Sequence, residues 1–543
     1  MVTHLRNFRE EHGLYVTVVK YLFTIFLSVM SYRNHSDWGY ILVTAVEVIS
    51  IAAITNIFAK EQKLIAYLVN SVLVLIINIQ NITMFFGGSF VTLVMVTNLE
   101  SLESLSGQFG PIAIGAAAVF FFSFLPIVYI SIPKMTSPGL LSFALLIELI
   151  FTLVCGNIYS PLFSVYQLAE ASIEYRKNLA EIASAPNTTS FFYKPAVLEA
   201  RQKPENLPEN PNVVLIMVEG LSQNIIDDDR NIMLNLKQLQ NESLSFENYY
   251  NHTFATYRGI IGQLYSGYQL DNYDENKLTS IQSVLKDRNY QTTFINTEPN
   301  NTQFNSYLES LGFDQLTTDL TQANGVNASL TDKTALELLY QTIEKQATNS
   351  NPYFTMVYTY GTHLTFDSPN EQYGNGENPL LNKFYNFDVY LKEFLDKFKN
   401  NPAFDNTILV LTSDHATFAD KEFIATFPSA NRVNSDVDEV PLVLYYKGIT
   451  PETIDVEGRN SLSLVPTILD YMDVSVPNYF LGDTLFYYKE NNNSYDTVFF
   501  DNTYLLSTDY GNIQSLSDTN EETIRSLLQK YFAAKLQEPQ VPE

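Results

Sequence analysis

The chain has 543 residues, too many for one ordinary hydrophobic core, so at least two folded units are expected. With 59 acidic and 32 basic residues it carries a net charge of −27, which excludes broad electrostatic attraction to nucleic acid or other polyanions. The charge is uneven: the first 160 residues hold eight acidic and seven basic side chains, leaving 51 and 25 for a soluble, strongly acidic remainder.

Taken in chain order, the first elements are apolar. Five stretches, near Tyr15–Tyr32, Trp38–Phe58, Leu64–Phe86, Pro111–Ile132 and Leu140–Tyr159, approach the roughly 20 residues that a membrane-crossing helix needs. Any one of them suits a buried core helix, but five in succession with so few charges predict an α-helical membrane domain of five transmembrane helices over residues 1–160. The first stretch is followed by four more, so it is not read as a cleaved signal peptide. Arg6, Arg9, Lys60, Lys63 and Lys134 fall on one side of this pattern and only Arg33 on the other, which predicts a cytoplasmic N-terminus and an extracellular remainder. The segment "GGSFVTLVMVTNLESLESLSG" is too short and too polar to cross, and suits a helix in the outer interface or one packed on the bundle. Residues 161–210, polar and proline-bearing in "KPENLPENPN", are expected to form a helical or extended linker.

The single cysteine, Cys155, lies in the fifth stretch. An exported domain without disulfides fits the surface of a Gram-positive bacterium, and no cysteine outside the membrane is available as a nucleophile. Residues 211–543 alternate strand-like runs with helical periods. "NVVLIMVEG", "QTTFINTE", "YFTMVYTYGTH", "TILVLTSDH" and "VPLVLYYKG" read as strands buried on both faces of a mostly parallel sheet. "DKTALELLYQTIEKQ" and "NKFYNFDVYLKEFLDKFKN" read as amphipathic helices between them, giving an α/β layered domain.

Polar residues sit where those strands end: Glu219 after the first, His363 after the third, Asp414 and His415 after the fourth. Ligands of open α/β sheets bind outside the carboxyl ends of strands, so these groups are expected to converge. Each alone also suits an ordinary turn or cap, and a threonine before a helix is most often its N-cap. Four such groups after otherwise apolar strands favour a site. Two carboxylates, an imidazole and a hydroxyl suit one divalent cation, Mn²⁺ or Mg²⁺ first, with Zn²⁺ as an alternative. In "TFATYRGIIG", a metal-bound Thr256 would be a usable nucleophile, Arg258 would fork onto phosphate oxygens, and Thr253 is a weaker second candidate.

These motifs resemble the lipoteichoic acid synthase group of membrane phosphotransferases, within the alkaline phosphatase and sulfatase superfamily. "PNVVLIMVEGLS" resembles the strand carrying a metal-binding glutamate, here Glu219. "SFENYYNHTFATYRGIIGQLYSGY" resembles the segment of the nucleophilic threonine, here Thr256. "YTYGTHLTFDSP" resembles the source of a substrate-binding histidine, here His363, and "LVLTSDHA" the metal-binding pair, here Asp414 and His415. The resemblance implies a sulfatase-like domain with a central mostly parallel sheet and one divalent cation, most often Mn²⁺, held by Glu219, Thr256, Asp414 and His415. It also implies transfer of glycerol phosphate from a phospholipid donor, phosphatidylglycerol, to a cell-wall polymer or glycolipid acceptor through a phosphothreonine. Where polyglycerolphosphate synthases carry a Trp-Arg pair and a nearby histidine, "NTEPNNTQFNSYLESLGFD" offers Phe304 and Asn305 as substrate contacts. The alternatives are a phosphoethanolamine transferase, a metal-dependent phosphodiesterase or other hydrolase, and a non-catalytic wall-polymer binder; the formylglycine-type sulfatase motif is absent around Arg258.

Overall fold

Four helices of the N-terminal unit, Gly13–Tyr32 within Val2–His35, Trp38–Ala59, Lys63–Phe86 and Ser137–Cys155, are long and apolar enough to cross a membrane in the computed structural model. The structure describes residues 2–35, 37–97, 109–128, 137–155, 159–323, 329–363, 367–368, 370–430, 432, 437–487, 496–500, 503–506 and 514–542. The chain divides into units Met1–Lys177 and Asn178–Glu543. Polar side chains inside the first unit pair with one another: Asn70 donates to the Tyr21 hydroxyl at 2.6 Å and to Thr55 at 3.0 Å, tying three helices together.

The fourth apolar stretch differs from its expectation. Its described helix is Phe109–Ser123, 15 residues and hence about 22 Å long, short of the roughly 30 Å hydrocarbon core. Pro126 explains the stop, because proline supplies no N–H and disfavours the helical conformation at the preceding Leu125. The end of that stretch and the later Lys134 lie outside the described residues, as do residues 98–107 of the interface segment, of which a short helix Leu93–Thr97 is described.

In the second unit, strands β1 (Asn212–Val218), β2 (Leu244–Glu247), β3 (Gln291–Ile295), β4 (Gln315–Thr317), β5 (Tyr353–Thr359), β6 (Thr407–Ser413), β7 (Leu442–Tyr445) and β8 (Glu452–Asp455) form one sheet in the order β4-β3-β5-β1-β6-β7-β2-β8. Strands β4, β3, β5, β1 and β6 run parallel. The β7 run, read with the parallel strands, pairs antiparallel with both β6 and β2, and β8 returns parallel to β2. Successive side chains of a strand face opposite sides, and β1 is apolar at almost every position. Val213, Leu215 and Met217 enter one core, with Ile260, Phe294, Phe304 and Leu464, while Val214, Ile216 and Val218 enter the other, with Leu339, Phe384, Phe387 and Leu391. That is a three-layer arrangement, helices on both faces of the sheet.

The helices begin where local chemistry starts them. Thr331 caps Asp332–Gln346 by accepting from the Thr334 N–H, and Asn378 caps Pro379–Asn400, with proline in the first turn where its missing N–H costs nothing. A further helix, Thr256–Tyr265, lies across the end of β6 without side-chain spacing. A Cβ on its Gly259 would stand 2.2 Å from the Asp414 carbonyl oxygen, and Gln263 Nε2 donates to the Ser413 carbonyl at 2.9 Å. At an exposed helix position Gly→Ala would stabilise by about 1 kcal/mol. Here the backbone contact reverses the sign: Gly259→Ala is expected to destabilise the unit by about 1–3 kcal/mol, read as a lowered Tm, and an unchanged or raised Tm would contradict the packing described.

Candidate active site

The parallel register sets the site. Val218 of β1 pairs with Thr359 of β5 and Ser413 of β6, so the residues that follow these three strands emerge side by side. Glu219 follows β1, Asp414 and His415 follow β6, and Thr362 and His363 follow β5. The turn after β6 is pinned to β1, because the Ser413 hydroxyl donates to the Val218 carbonyl at 2.8 Å. Asp414 Oδ1 accepts from the Gly220 and His415 N–H groups at 2.8 and 2.7 Å. Thr362 Oγ1 donates to the Glu219 carbonyl at 2.6 Å, joining β5 to the same point.

These bonds leave a defined set of atoms facing inward. His415 Nδ1 lies 2.7 Å from the Ala416 carbonyl, an acceptor only, so Nδ1 carries a hydrogen and Nε2 is turned to the two carboxylates. Nε2 lies 3.3 Å from Glu219 Oε1 and 3.7 Å from Asp414 Oδ2. All three side chains are buried, and Asp414 Oδ2 and His415 Nε2 have no hydrogen-bond partner among the described residues. One ligand atom from each lies within 4.8 Å of the others. Two orphaned polar atoms in a buried group of two carboxylates and an imidazole fit a divalent cation, which would replace the missing partners.

Charge within the cluster follows from burial and proximity. Burial works to raise Glu219, but the imidazoles of His415 and His363 and the Thr256 hydroxyl outweigh it and hold the carboxyl at about 2. Burial, then the Glu219 charge, pushes Asp414 well above the usual carboxylate range. His415 is lowered by burial yet raised to about 9 by its two carboxylate neighbours. The cluster therefore holds protons at neutral pH that a divalent cation would displace.

Thr256 opens its helix beside this cluster, its Oγ1 donating to Glu219 Oε2 at 2.9 Å. The preceding Ala255 has φ +120°, a conformation that favours glycine, so the backbone is strained where it delivers the threonine. Thr253, the second candidate, is buried and donates to the Phe499 carbonyl at 2.8 Å, outside the cluster. His363 is half-buried, its ring 5.0 Å from that of Tyr360 and its carbonyl held by Lys383 Nζ at 3.1 Å. Its loop is also held from below, since Asp332 Oδ1 accepts from the Gly361 N–H at 3.0 Å.

Three expected substrate contacts are placed differently. Arg258 is buried, and its Nε donates to Asn272 Oδ1 at 3.2 Å. Phe304 is 0% exposed in the core, its ring 4.5 Å from that of Tyr257, so it supports that tyrosine and cannot itself touch a ligand. Asn305 accepts from Asn296 and donates to the Pro299 carbonyl at 2.7 Å, bracing the loop after β3. Glu298, in that same loop and the third residue past β3, accepts from the Tyr257 hydroxyl.

An eight-stranded, mostly parallel sheet with a carboxylate–histidine cluster at the carboxyl ends of its central strands defines an alkaline phosphatase-like α/β domain. The sulfatase family model matches residues 211–474. In sequence the chain is 22% identical over 305 residues to the lipoteichoic acid synthase-like protein YvgJ of Bacillus subtilis (strain 168), covering 49% of this chain and 48% of that one. It is 24% identical over 154 residues to the uncharacterized sulfatase YdeN of Escherichia coli (strain K12), covering 25% and 26%. The chain thus spans about half the length of the first of these relatives and about a quarter of the second. In fold it is similar to an alkaline phosphatase superfamily protein of Vibrio parahaemolyticus, with TM-score 0.52, 19% identity and 66% and 95% of the two chains covered. It is likewise similar to the lipoteichoic acid synthase LtaP of Listeria monocytogenes, with TM-score 0.51, 14% identity and 68% and 99% covered.

Two outcomes are expected. Mn²⁺ at about 100 times its dissociation constant should stabilise the protein by about 2.7 kcal/mol, read as a raised Tm, and Asp414→Asn should remove most of that shift; an equal shift in the variant would place the ion elsewhere. Burial raises Asp332 to about 6, against the Gly361 N–H and Asn386. A carboxyl raised in the fold contributes stability that is fully present below its unfolded value near 4 and lost as pH rises through about 6. Asp388, also raised to about 6 by burial, shares that window. Asp332→Asn should therefore flatten part of the fall in Tm between about pH 4 and 6.5, and parallel curves for the two proteins would contradict this.

Proposed function

We propose that this chain is a membrane-anchored, metal-dependent phosphotransferase that moves glycerol phosphate from phosphatidylglycerol to a cell-wall polymer or glycolipid through a phosphothreonine at Thr256. The observation that carries the reading is the Thr256 hydroxyl, hydrogen-bonded to Glu219 beside the orphaned Asp414 Oδ2 and His415 Nε2. The likeness to lipoteichoic acid synthase-like YvgJ supports the same chemistry. A divalent cation held by Glu219, Asp414, His415 and Thr256, Mn²⁺ before Mg²⁺ or Zn²⁺, would supply a more acidic threonine hydroxyl and a charge to offset that of the phosphoryl oxygens.

In the first step Thr256 Oγ attacks phosphorus and the bond from phosphorus to the diacylglycerol oxygen breaks. The proton lost from Oγ is balanced by the one that the departing diacylglycerol oxygen gains. In the second step an acceptor hydroxyl displaces Thr256 in line, its proton balancing the one that returns to Oγ. His363, on the same flank of Glu219, orients the phosphoryl oxygens, and Thr362 and Gln263 hold the strand ends that present the cluster. A phosphodiester lipid is a substrate confined to a bilayer, and a chain tethered there meets it at high local concentration. We further infer five spans over residues 1–160, with the N-terminus cytoplasmic, a linker over 161–210 and an extracellular catalytic domain over 211–543.

The test is diacylglycerol release by the full-length protein in detergent with Mn²⁺, from labelled phosphatidylglycerol and, separately, phosphatidylethanolamine. Release from phosphatidylglycerol alone is expected, falling by at least about a thousandfold in Thr256→Ala with the Tm unchanged. Release from phosphatidylethanolamine alone would change the head group, and undiminished release by the variant would remove Thr256 from the chemistry.

A further inference from the structure

The segment after β5 is held by one face of the helix Pro379–Asn400. Asn382, Lys383 and Asn386 are all buried there, a rare place for a lysine. Asn382 Oδ1 accepts from the Tyr373 N–H at 3.0 Å, and its Nδ2 donates to the Gly376 carbonyl and to Asp367 Oδ1, both at 2.9 Å. Asn386 Oδ1 accepts from the Glu371 N–H at 3.1 Å. With Asp332 on the Gly361 N–H, these groups fix the segment both before and after His363.

Lys383 adds a hold of a different kind. Its Nζ donates to the His363 carbonyl at 3.1 Å, its one hydrogen-bond acceptor among the described residues. An ammonium carries three donors, and burying it with two of them unmet is costly. Burial lowers the group to about 8, against the charges of Asp420, Glu422 and Glu219, so it is cationic at neutral pH. A methionine or a glutamine would fill the same space without burying a charge. The acceptor belongs to His363, whose imidazole acts on the Glu219 carboxyl, and Glu219 acts on Lys383 in turn. Thr362, one residue earlier, is tied to the Glu219 carbonyl. The ammonium therefore stands behind the residue of this segment that is assigned to the phosphoryl oxygens, and it holds the main chain of that residue.

We propose that Lys383 is a positioning residue of the site: it fixes the main chain of His363 and, through it, the direction in which the imidazole meets phosphoryl oxygens. This role rests on the reading of His363 as a phosphate contact, and adds to it a buried cation that acts without touching the substrate.

The experiment is calorimetric titration of the full-length protein in detergent with Mn²⁺, using inorganic phosphate, on the wild type, Lys383→Met, His363→Ala and the double variant. Each single substitution should weaken phosphate binding by about tenfold, the size of one hydrogen bond to a charged group. The double variant should bind no more weakly than His363→Ala, because the lysine acts through the histidine. Exchanging a buried charge for an apolar chain of similar length should leave the Tm of Lys383→Met unchanged or raised. Binding then falls where stability does not, the reverse of what a merely structural lysine would give. If the methionine variant does not fold, Lys383→Gln takes its place in the same cycle. Losses that add in the double variant, phosphate affinity undiminished in the Lys383 variants, or a wild type that binds no phosphate would overturn the inference. Turnover separates it from the reading of the whole enzyme: a coupled pair in a protein that releases no diacylglycerol would sink only the latter.

Discussion

The site depends on the register of three parallel strands. Because Val218 pairs with both Thr359 and Ser413, the chain leaves β5, β1 and β6 at one level, and residues almost 200 positions apart become neighbours. Buried apolar strands hold that register firmly, since a slip of one residue would turn the β1 side chains from one core to the other. The polar cost falls where the strands end. There, backbone N–H groups occupy Asp414 Oδ1, the Ala416 carbonyl fixes His415, and the remaining lone pairs are turned toward one point.

The helix beginning at Thr256 meets this point because nothing stands between it and β6. Gly259 lets the backbones touch, Gln263 ties the helix to the carbonyls of Ser413 and Asp414, and Ala255 takes a glycine-like conformation to start the turn. A rigid sheet edge thus carries the acidic and imidazole groups while a separate helix carries the hydroxyl. Strain at Ala255 is local and is supported by packing on both sides, the arrangement expected where geometry matters more than stability. Tyr257 packs against the core and its hydroxyl donates to Glu298 in the loop after β3.

Much of this was legible in the residues. Continuous apolar runs marked β1, β5 and β6 because strands buried on both faces leave no polar position, and the helices Asp332–Gln346 and Pro379–Asn400 announced themselves by period. Glu219, Asp414 and His415 stood out because each follows such a run. What stayed hidden has physical causes. Strand β2 spans Leu244–Glu247, four residues, too few to show a period, and the antiparallel turn of β7 leaves no trace in a run that looks like its neighbours. Arg258 was read as a phosphate ligand from its distance to Thr256 along the chain, and its Nε donates to Asn272, a pairing that gives no sequence signal. Phe304 was read as a contact because of where it aligns, while its face of the helix is the buried one. Lys535, beyond the helix Asp518–Ala534, is buried with its ammonium on Gln269 Oε1 at 2.6 Å and on Asp274; a lone lysine near the end of a chain gives no sequence signal of that kind.

The central claim is a covalent intermediate on one hydroxyl, and it is tested most directly by mass spectrometry of the peptide containing Thr256 after brief incubation of the full-length protein with phosphatidylglycerol. The account predicts a glycerol phosphate ester on Thr256, formed as diacylglycerol appears and discharged when an acceptor hydroxyl is added. Consumption of the lipid with Thr256 unmodified, or with the ester on another residue, would contradict it.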